Sequence, residues 1–214
     1  LVCANSLEFE DALYLLKERG KAMQAAVPVG RGSMLAVLGA ELSELEKLVL
    51  TIDKSKGVCE IANDNAYGQI IISGGREAVE DFKQKLKNKN IKSIPLKVSA
   101  PFHCSLMKPA AEAMKSKIEN INFKEPSFDI ISNVTANIEK DPLNIKNLLI
   151  DQIISTVRWR ESIINMSKNN IKNYIEIGPG KVLTGMVKRT IKEANSFSIN
   201  SITDIKNLND KFKK

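Results

Sequence analysis

The sequence predicts an α/β protein whose body is interrupted by a small α+β insert at residues 32–98. Three observations carry this prediction. Apolar residues recur at helical spacing on both sides of the insert. The insert itself reads strand, helix, strand, strand, helix, strand, which is the ferredoxin-like order. The flanks, residues 1–31 and 99–214, supply only two candidate strands, whereas a doubly wound sheet commonly has about four to six. With 214 residues, 43% hydrophobic and 27% charged, the chain is long and apolar enough to bury a core of this kind.

Taken in order, Ser6 precedes Glu8, Glu10 and Asp11, and Phe9, Leu13, Leu16 and Met23 then follow a helical period until Pro28 and Gly30 stop it. The insert opens with an apolar run at 34–38, followed by a helix at 41–52, strands at 58–62 and 69–72, a helix at 76–87 and a strand at 93–98. After Pro101 the pattern turns helical at 107–118, and 128–132 reads as a short buried strand. Helices are expected at 144–154 and 160–169. The apolar strand at 174–177 runs into Gly178-Pro179-Gly180, and a helix follows at 182–192. Residues 202–214 read as a polar terminal helix or a frayed tail.

Charge and cysteine content narrow the function classes. There are 32 basic and 25 acidic residues, a net charge of +7, with lysine densest at 83–92 and 206–214. Such lysines read as solvated helix faces or as a surface for an anionic partner. Aromatics are 5% of the chain and no nucleic-acid motif appears, so no nucleic-acid partner is expected. No apolar run of about 18 residues is present, and residues 1–11 carry acids where a signal peptide carries basic residues, which argues against membrane and secreted readings. Three widely spaced cysteines, Cys3, Cys59 and Cys104, fit neither a disulfide framework nor a zinc site, and a reducing cytoplasm is the expected setting.

His103 is the single histidine, so imidazole proton transfer near neutral pH falls to it or to nothing. It follows Pro101 at a strand exit, where catalytic side chains are common, and it equally reads as a histidine without a role. Cys104 is its neighbour, but adjacent residues in extended chain point to opposite faces, which argues against a Cys–His pair. Ser99 and Ser105 share the parity of His103 yet lack a nucleophile elbow, and no two glycines lie four apart, so a G-x-S-x-G elbow is excluded. Arg19 lies on the stripe of Leu16 and Met23 with no carboxylate three or four residues away. It either meets a distant acid or a ligand anion, or lies along the helix edge with its head in water. The amide-rich Asn63-Asp64-Asn65-Ala66-Tyr67-Gly68-Gln69 reads as a turn joining two strands. Gly178-Pro179-Gly180-Lys181 reads as a structural turn, or as backbone N–H groups offered to an anion at a helix start.

Taken together, five stretches resemble the malonyl-CoA:acyl carrier protein transacylases and the acyltransferase domains of polyketide synthases. They are Leu16-Lys17-Glu18-Arg19-Gly20-Lys21-Ala22-Met23-Gln24; Asn63-Asp64-Asn65 with Gly68-Gln69; Phe102-His103-Cys104-Ser105-Leu106-Met107-Lys108-Pro109-Ala110; Val157-Arg158-Trp159; and Glu176-Ile177-Gly178-Pro179-Gly180-Lys181-Val182-Leu183. They occur in family order over nearly the whole chain. The resemblance implies an α/β-hydrolase-like body carrying a ferredoxin-like insert, and a serine that takes malonyl from coenzyme A and passes it to the phosphopantetheine thiol of acyl carrier protein. It further implies that His103 is the general base and acid, that Arg19 clamps the malonyl carboxylate, and that the main-chain carbonyl of Gln152 orients the imidazole. Asn65 falls at an amide position near the site, and Phe102 matches members that select malonyl over methylmalonyl. Malonyl-CoA and acyl carrier protein are the implied partners, with no metal and no resident cofactor.

One departure accompanies the resemblance. The family's G-H-S-x-G elbow and its glutamine-bearing oxyanion loop would lie before Leu1, and the chain starts without a methionine. The expectation is a truncated transacylase, inactive or nearly so alone and completed by the missing N-terminal segment, in trans if need be. The alternative is a non-catalytic relative that binds acyl carrier protein or a partner chain.

Overall fold

Pro28 and Gly30 end the first helix as the sequence requires: α1 spans Phe9–Ala25, with Glu10 and Asp11 in its first turn, where carboxylates favour the helix dipole. The computed structural model describes residues 1–213, and the chain divides into two compact units, Leu1–Trp159 and Arg160–Lys214.

In the first unit, β1 (Gly32–Leu38), α2 (Leu42–Val49), β2 (Cys59–Ala66), β3 (Gln69–Gly75), α3 (Arg76–Asn88) and β4 (Lys92–Pro95) follow one another in the expected order. The strands form one antiparallel sheet, β2-β3-β1-β4, with β1 paired to β3 from Gly32↔Gly75 to Leu38↔Gln69. Alternation along each strand sorts the side chains by face. Leu35, Val37, Ile70 and Ile72 pack with Leu45 and Leu48 of α2 and Phe82 and Leu86 of α3. Met34, Ala36, Ala62 and Ile71 form the opposite face, against which Leu96 and Phe102 pack. Burial on both faces is why the run at 34–38 is continuously apolar rather than alternating.

After a 3₁₀ turn at Ser105–Met107, α4 (Lys108–Glu119) begins with Pro109 in its first turn, a position that needs no N–H. It packs along α1 through Met114 and Ile118. A short hairpin follows, β5 (Ile130–Ile131) with β6 (Ile138–Glu139), and then α5 (Pro142–Asp151), whose Asp141 side chain accepts from Asn144 N at 2.7 Å. The division between the units falls at the first residue of α6 (Trp159–Lys168). The second unit continues with β7 (Asn173–Ile177), α7 (Val182–Thr190), β8 (Asn195–Ile199) and α8 (Ile202–Phe212). β7 and β8 are parallel, joined through α7, and α8 returns over β8 with Phe212 edge-on to Phe197 at 5.9 Å.

Four expectations need correction. The stripe Phe9–Leu13–Leu16 is not the buried face of α1: these side chains are 59%, 52% and 64% exposed, and Leu15 and Met23 face α4 instead. The amide-rich 63–66 segment is strand rather than turn, because its pairing with β3 continues to Ala66↔Gln69 and Val157 pairs on its other side (Val157 N to Ala62 O, 2.8 Å; Asp64 N to Val157 O, 2.9 Å), which keeps the backbone extended. Only Tyr67 and Gly68 turn the chain, with Gly68 at φ +65°. The strand expected at 128–132 shrinks to two half-buried residues of a hairpin. Strands β6 and β8 were not anticipated, being too short or too polar to show a clear period. The segment at 202–212 is helical, started by the Ser201 side chain accepting from Asp204 N, while Lys214 of the expected 202–214 tail lies outside the described residues. No helix among the described residues is long and apolar enough to cross a membrane.

Phe82 is fully buried under the sheet, so Phe82→Ala should destabilise the chain by about 3–5 kcal/mol, read as a lower midpoint in urea. Ile94→Ala, at a side chain 45% exposed, should change stability by less than about 1 kcal/mol in the same measurement.

Candidate active site

His103 sits in the irregular segment between β4 and the Ser105–Met107 turn, with a left-handed backbone at φ +56°. That conformation is uncommon for a residue with a Cβ, so the surroundings must impose it. They do so from several sides. The Pro101 ring lies over Gly32, where a Cβ would run into it. The fully buried Cys104 donates its thiol to Pro101 O at 3.1 Å. The next residue, Ser105, gives both its backbone N–H (2.8 Å) and its hydroxyl (2.7 Å) to the Glu60 carboxylate on β2. Phe102 is half-buried and packs both on the inner face of the sheet and on the α1–α4 core.

The imidazole is thereby turned toward the end of α5. Its Nδ1 lies 2.9 Å from the main-chain oxygen of Gln152. A carbonyl can only accept, so Nδ1 carries the hydrogen and Nε2 is left with a lone pair. Burial, and then the positive charge of Arg19, pull the imidazole below its ordinary value of 6.5, while the bond to Gln152 pulls it up. The neutral form therefore dominates at pH 7.

Arg19 reaches the same region from α1. The acid preceding it in the chain, Glu18, is taken by Lys21 at 2.9 Å and Lys117 at 3.0 Å, which together hold that carboxyl at about 2. Among the described residues Arg19 has no ion-pair partner, and burial pulls the guanidinium below its ordinary value without discharging it. It borders a cavity of about 320 Å³ whose other walls include Leu15, Leu16, Met114, Ile118, Leu149 and Gln152. An apolar cleft with one unpaired cationic fork at its rim suits a ligand that carries a carboxylate on a short carbon chain.

The structure thus brings His103 and Gln152 into contact, with Arg19 beside them. Asn65 occupies the bulge of β2 between Asp64 and Ala66, half-buried, and makes no hydrogen bond to them among the described residues. Cys104 faces away from the imidazole, and burial pushes its thiol up, as it pushes Cys59 up to about 12. The backbone N–H groups after Gly178-Pro179-Gly180 are not offered to an outside anion. Glu176 takes those of Leu183 (3.1 Å) and Thr184 (2.7 Å), and the Asn200 side chain takes that of Gly180 (2.6 Å), so this is a structural turn. Among the described residues no cluster of three metal-ligating side chains occurs. Sequence reasoning missed Glu60; the available signal was a carboxylate inside the otherwise apolar strand pattern Cys59-Glu60-Ile61-Ala62.

The chain as a whole is similar to several known proteins. A malonyl CoA-acyl carrier protein transacylase of Bacillus subtilis is 40% identical over 200 residues, covering 93% of this chain and 63% of that protein. Its counterpart in Haemophilus influenzae is 37% identical over 203 residues, covering 94% and 65%. The chain therefore spans just under two thirds of the length of these two relatives. The crystal structure of an acyl-carrier-protein-S-malonyltransferase from Bartonella henselae superposes with a TM-score of 0.95 at 40% identity, over 100% of this chain and 68% of that one. A type II PKS acyl-carrier protein solved in complex with its malonyl-transacylase gives 0.92 at 35% identity, over 96% and 66%. The sequence profile of the acyl transferase domain matches residues 1–213, and by that match and these likenesses the chain belongs to the acyl transferase domain family.

Proposed function

We propose that this chain supplies the base and the carboxylate clamp for malonyl transfer from malonyl-CoA to the phosphopantetheine thiol of acyl carrier protein, with the serine nucleophile coming from outside these 214 residues. The observation that carries the reading is the His103 Nδ1 to Gln152 bond, which leaves Nε2 free, beside an unpaired Arg19 at an apolar cleft. In the first half-reaction Nε2 takes the serine proton as the hydroxyl oxygen attacks the thioester carbonyl. The carbon–sulfur bond then breaks, and the coenzyme A sulfur leaves with that proton. In the second, Nε2 takes the proton of the carrier thiol, sulfur attacks the malonyl-serine ester, and the serine oxygen leaves reprotonated. No metal and no resident cofactor enters these steps; phosphopantetheine arrives on the partner.

Arg19 grips the malonyl carboxylate with two hydrogen bonds, a task suited to a planar fork that cannot lose its charge. Phe102, next to the base, leaves little room for a 2-methyl branch, a discrimination worth about 1–3 kcal/mol. Asn65 serves as an amide near the acyl group. The lysine-rich end of α3 steers the acidic carrier protein. Residues 32–98 form a ferredoxin-like subdomain, a reading supported by the strand order β2-β3-β1-β4, and residues 1–31 and 99–214 belong to the larger α/β-hydrolase-like body. The cytoplasm is the setting, in keeping with three free cysteines. The chain by itself is inactive or nearly so, since it holds neither serine elbow nor oxyanion loop.

With the serine-bearing segment supplied in cis or in trans, His103→Ala should lower malonyl transfer by about 10²–10⁴-fold. Arg19→Ala should lower it about tenfold to hundredfold, while transfer of an acyl group without a carboxylate is retained. Wild-type malonyl transfer by either variant would reject the reading. A second check uses acidity. The imidazole midpoint lies below 6.5, so its contribution to stability is complete above 6.5 and is lost as pH falls through the lowered folded midpoint. Nuclear magnetic resonance titration of the single histidine should give a midpoint below 6.5, and Arg19→Gln should raise it; a wild-type midpoint at or above 6.5 contradicts the assignment.

A further inference from the structure

The bond between His103 and Gln152 joins two segments that share one foundation. On one side, Thr156 Oγ1 donates to Ile61 O at 2.6 Å and Val157 pairs with Ala62 and Asp64, which fastens the chain just after Gln152 to β2. On the other, the segment carrying His103 returns to the same strand one residue earlier, where the Glu60 carboxylate accepts both the backbone N–H and the hydroxyl of Ser105. These two bonds lie two residues beyond a left-handed backbone and at the first residue of a 3₁₀ turn, where an N–H has no partner of its own in the turn. A carboxylate is suited to this, since it presents two acceptor oxygens and binds such donors more strongly than a neutral group.

We propose that Glu60 is a positioning residue: by holding Ser105 from β2 it fixes the left-handed turn at His103 and so the contact of Nδ1 with the Gln152 carbonyl. This rests on the reading of His103 as the base, and Glu60 itself touches no substrate. Without the carboxylate, Ser105 loses both partners and the turn can relax toward ordinary backbone geometry. The imidazole then leaves the carbonyl and enters water, where the hydrogen prefers Nε2. Arg19 on α1 is the charged group whose field reaches the ring, and it is unchanged by the substitution.

The test is the tautomer and titration of the single histidine in the ¹⁵N-labelled chain, which needs no turnover. The wild type should carry its hydrogen on Nδ1. Glu60→Ala should shift the population toward Nε2–H and raise the midpoint toward 6.5, the value expected once burial is relieved, while Glu60→Gln should largely restore the wild-type signature, since its amide oxygen still accepts from Ser105 N. A folded Glu60→Ala with the wild-type tautomer and midpoint overturns the proposal. Should Glu60→Ala not fold, Ser105→Ala removes one of the two bonds and should move both readouts the same way by less; no change there also overturns it. In the completed enzyme, Glu60→Ala should lower kcat about tenfold to hundredfold with KM changed less than about twofold. A shifted tautomer with unaltered turnover would leave the positioning intact and count against His103 as the base.

Discussion

One hydrogen bond, 2.9 Å from His103 Nδ1 to the carbonyl of Gln152, joins residues 49 apart, and much of the first unit serves to hold its two ends. A ring nitrogen directed at a main-chain oxygen has its tautomer fixed by geometry alone. The carbonyl comes from the C-terminal end of α5, where the last turn leaves oxygens without helical partners, so nothing in the helix is sacrificed. On the histidine side the backbone is bent into a region that L-residues avoid, and it stays there through four separate restraints: a ring over a glycine, a buried thiol, an aromatic side chain shared by two cores, and a carboxylate on a neighbouring strand. No restraint of this set is strong by itself, and the geometry depends on their acting together.

Electrostatics follow from the same arrangement. Glu18 is occupied by two lysines and is thereby kept from neutralising the arginine next to it. An unpaired guanidinium at an apolar cleft is an unfavourable element of the folded chain that an incoming carboxylate would relieve, and its field also favours the neutral imidazole. The charge at Arg19 and the titration of the imidazole are therefore not independent: neutralising the cation would let the imidazole hold a proton more readily.

Much of the fold was legible because it depends on local rules. The order of strands and helices in 32–98 follows from periodicity, turn residues and the positions of Pro28, Gly30 and Pro101. What was not legible depends on partners distant in sequence. The amides at 63–66 are extended because β3 pairs on one side and Val157, ninety-odd residues on, lies on the other, and no local propensity announces the second partner. The Phe9–Leu13–Leu16 stripe has the period of a buried face, yet period says nothing of whether a partner is present. In the site, His103 and Arg19 were singled out by composition and by an unpaired charge on an apolar stripe. Gln152 came through family resemblance alone, since a main-chain carbonyl leaves no trace in residue type. Glu60 was passed over because an acid in a half-buried strand looks like any solvent-facing residue until the donors it accepts from are seen.

The sequence separations also order the assembly of the molecule. The pairing of β2 with β3 closes a tight turn at Tyr67 and Gly68, whereas the links from β2 to Ser105 and to Thr156 span 45 and 95 residues. Loop-closure entropy rises with separation, and contacts of this kind are made after local ones. The small sheet is thus a template that can stand before the contact of His103 with Gln152 does. The imidazole reaches its carbonyl late in folding, and by the same reasoning it is among the first contacts surrendered when the chain begins to open.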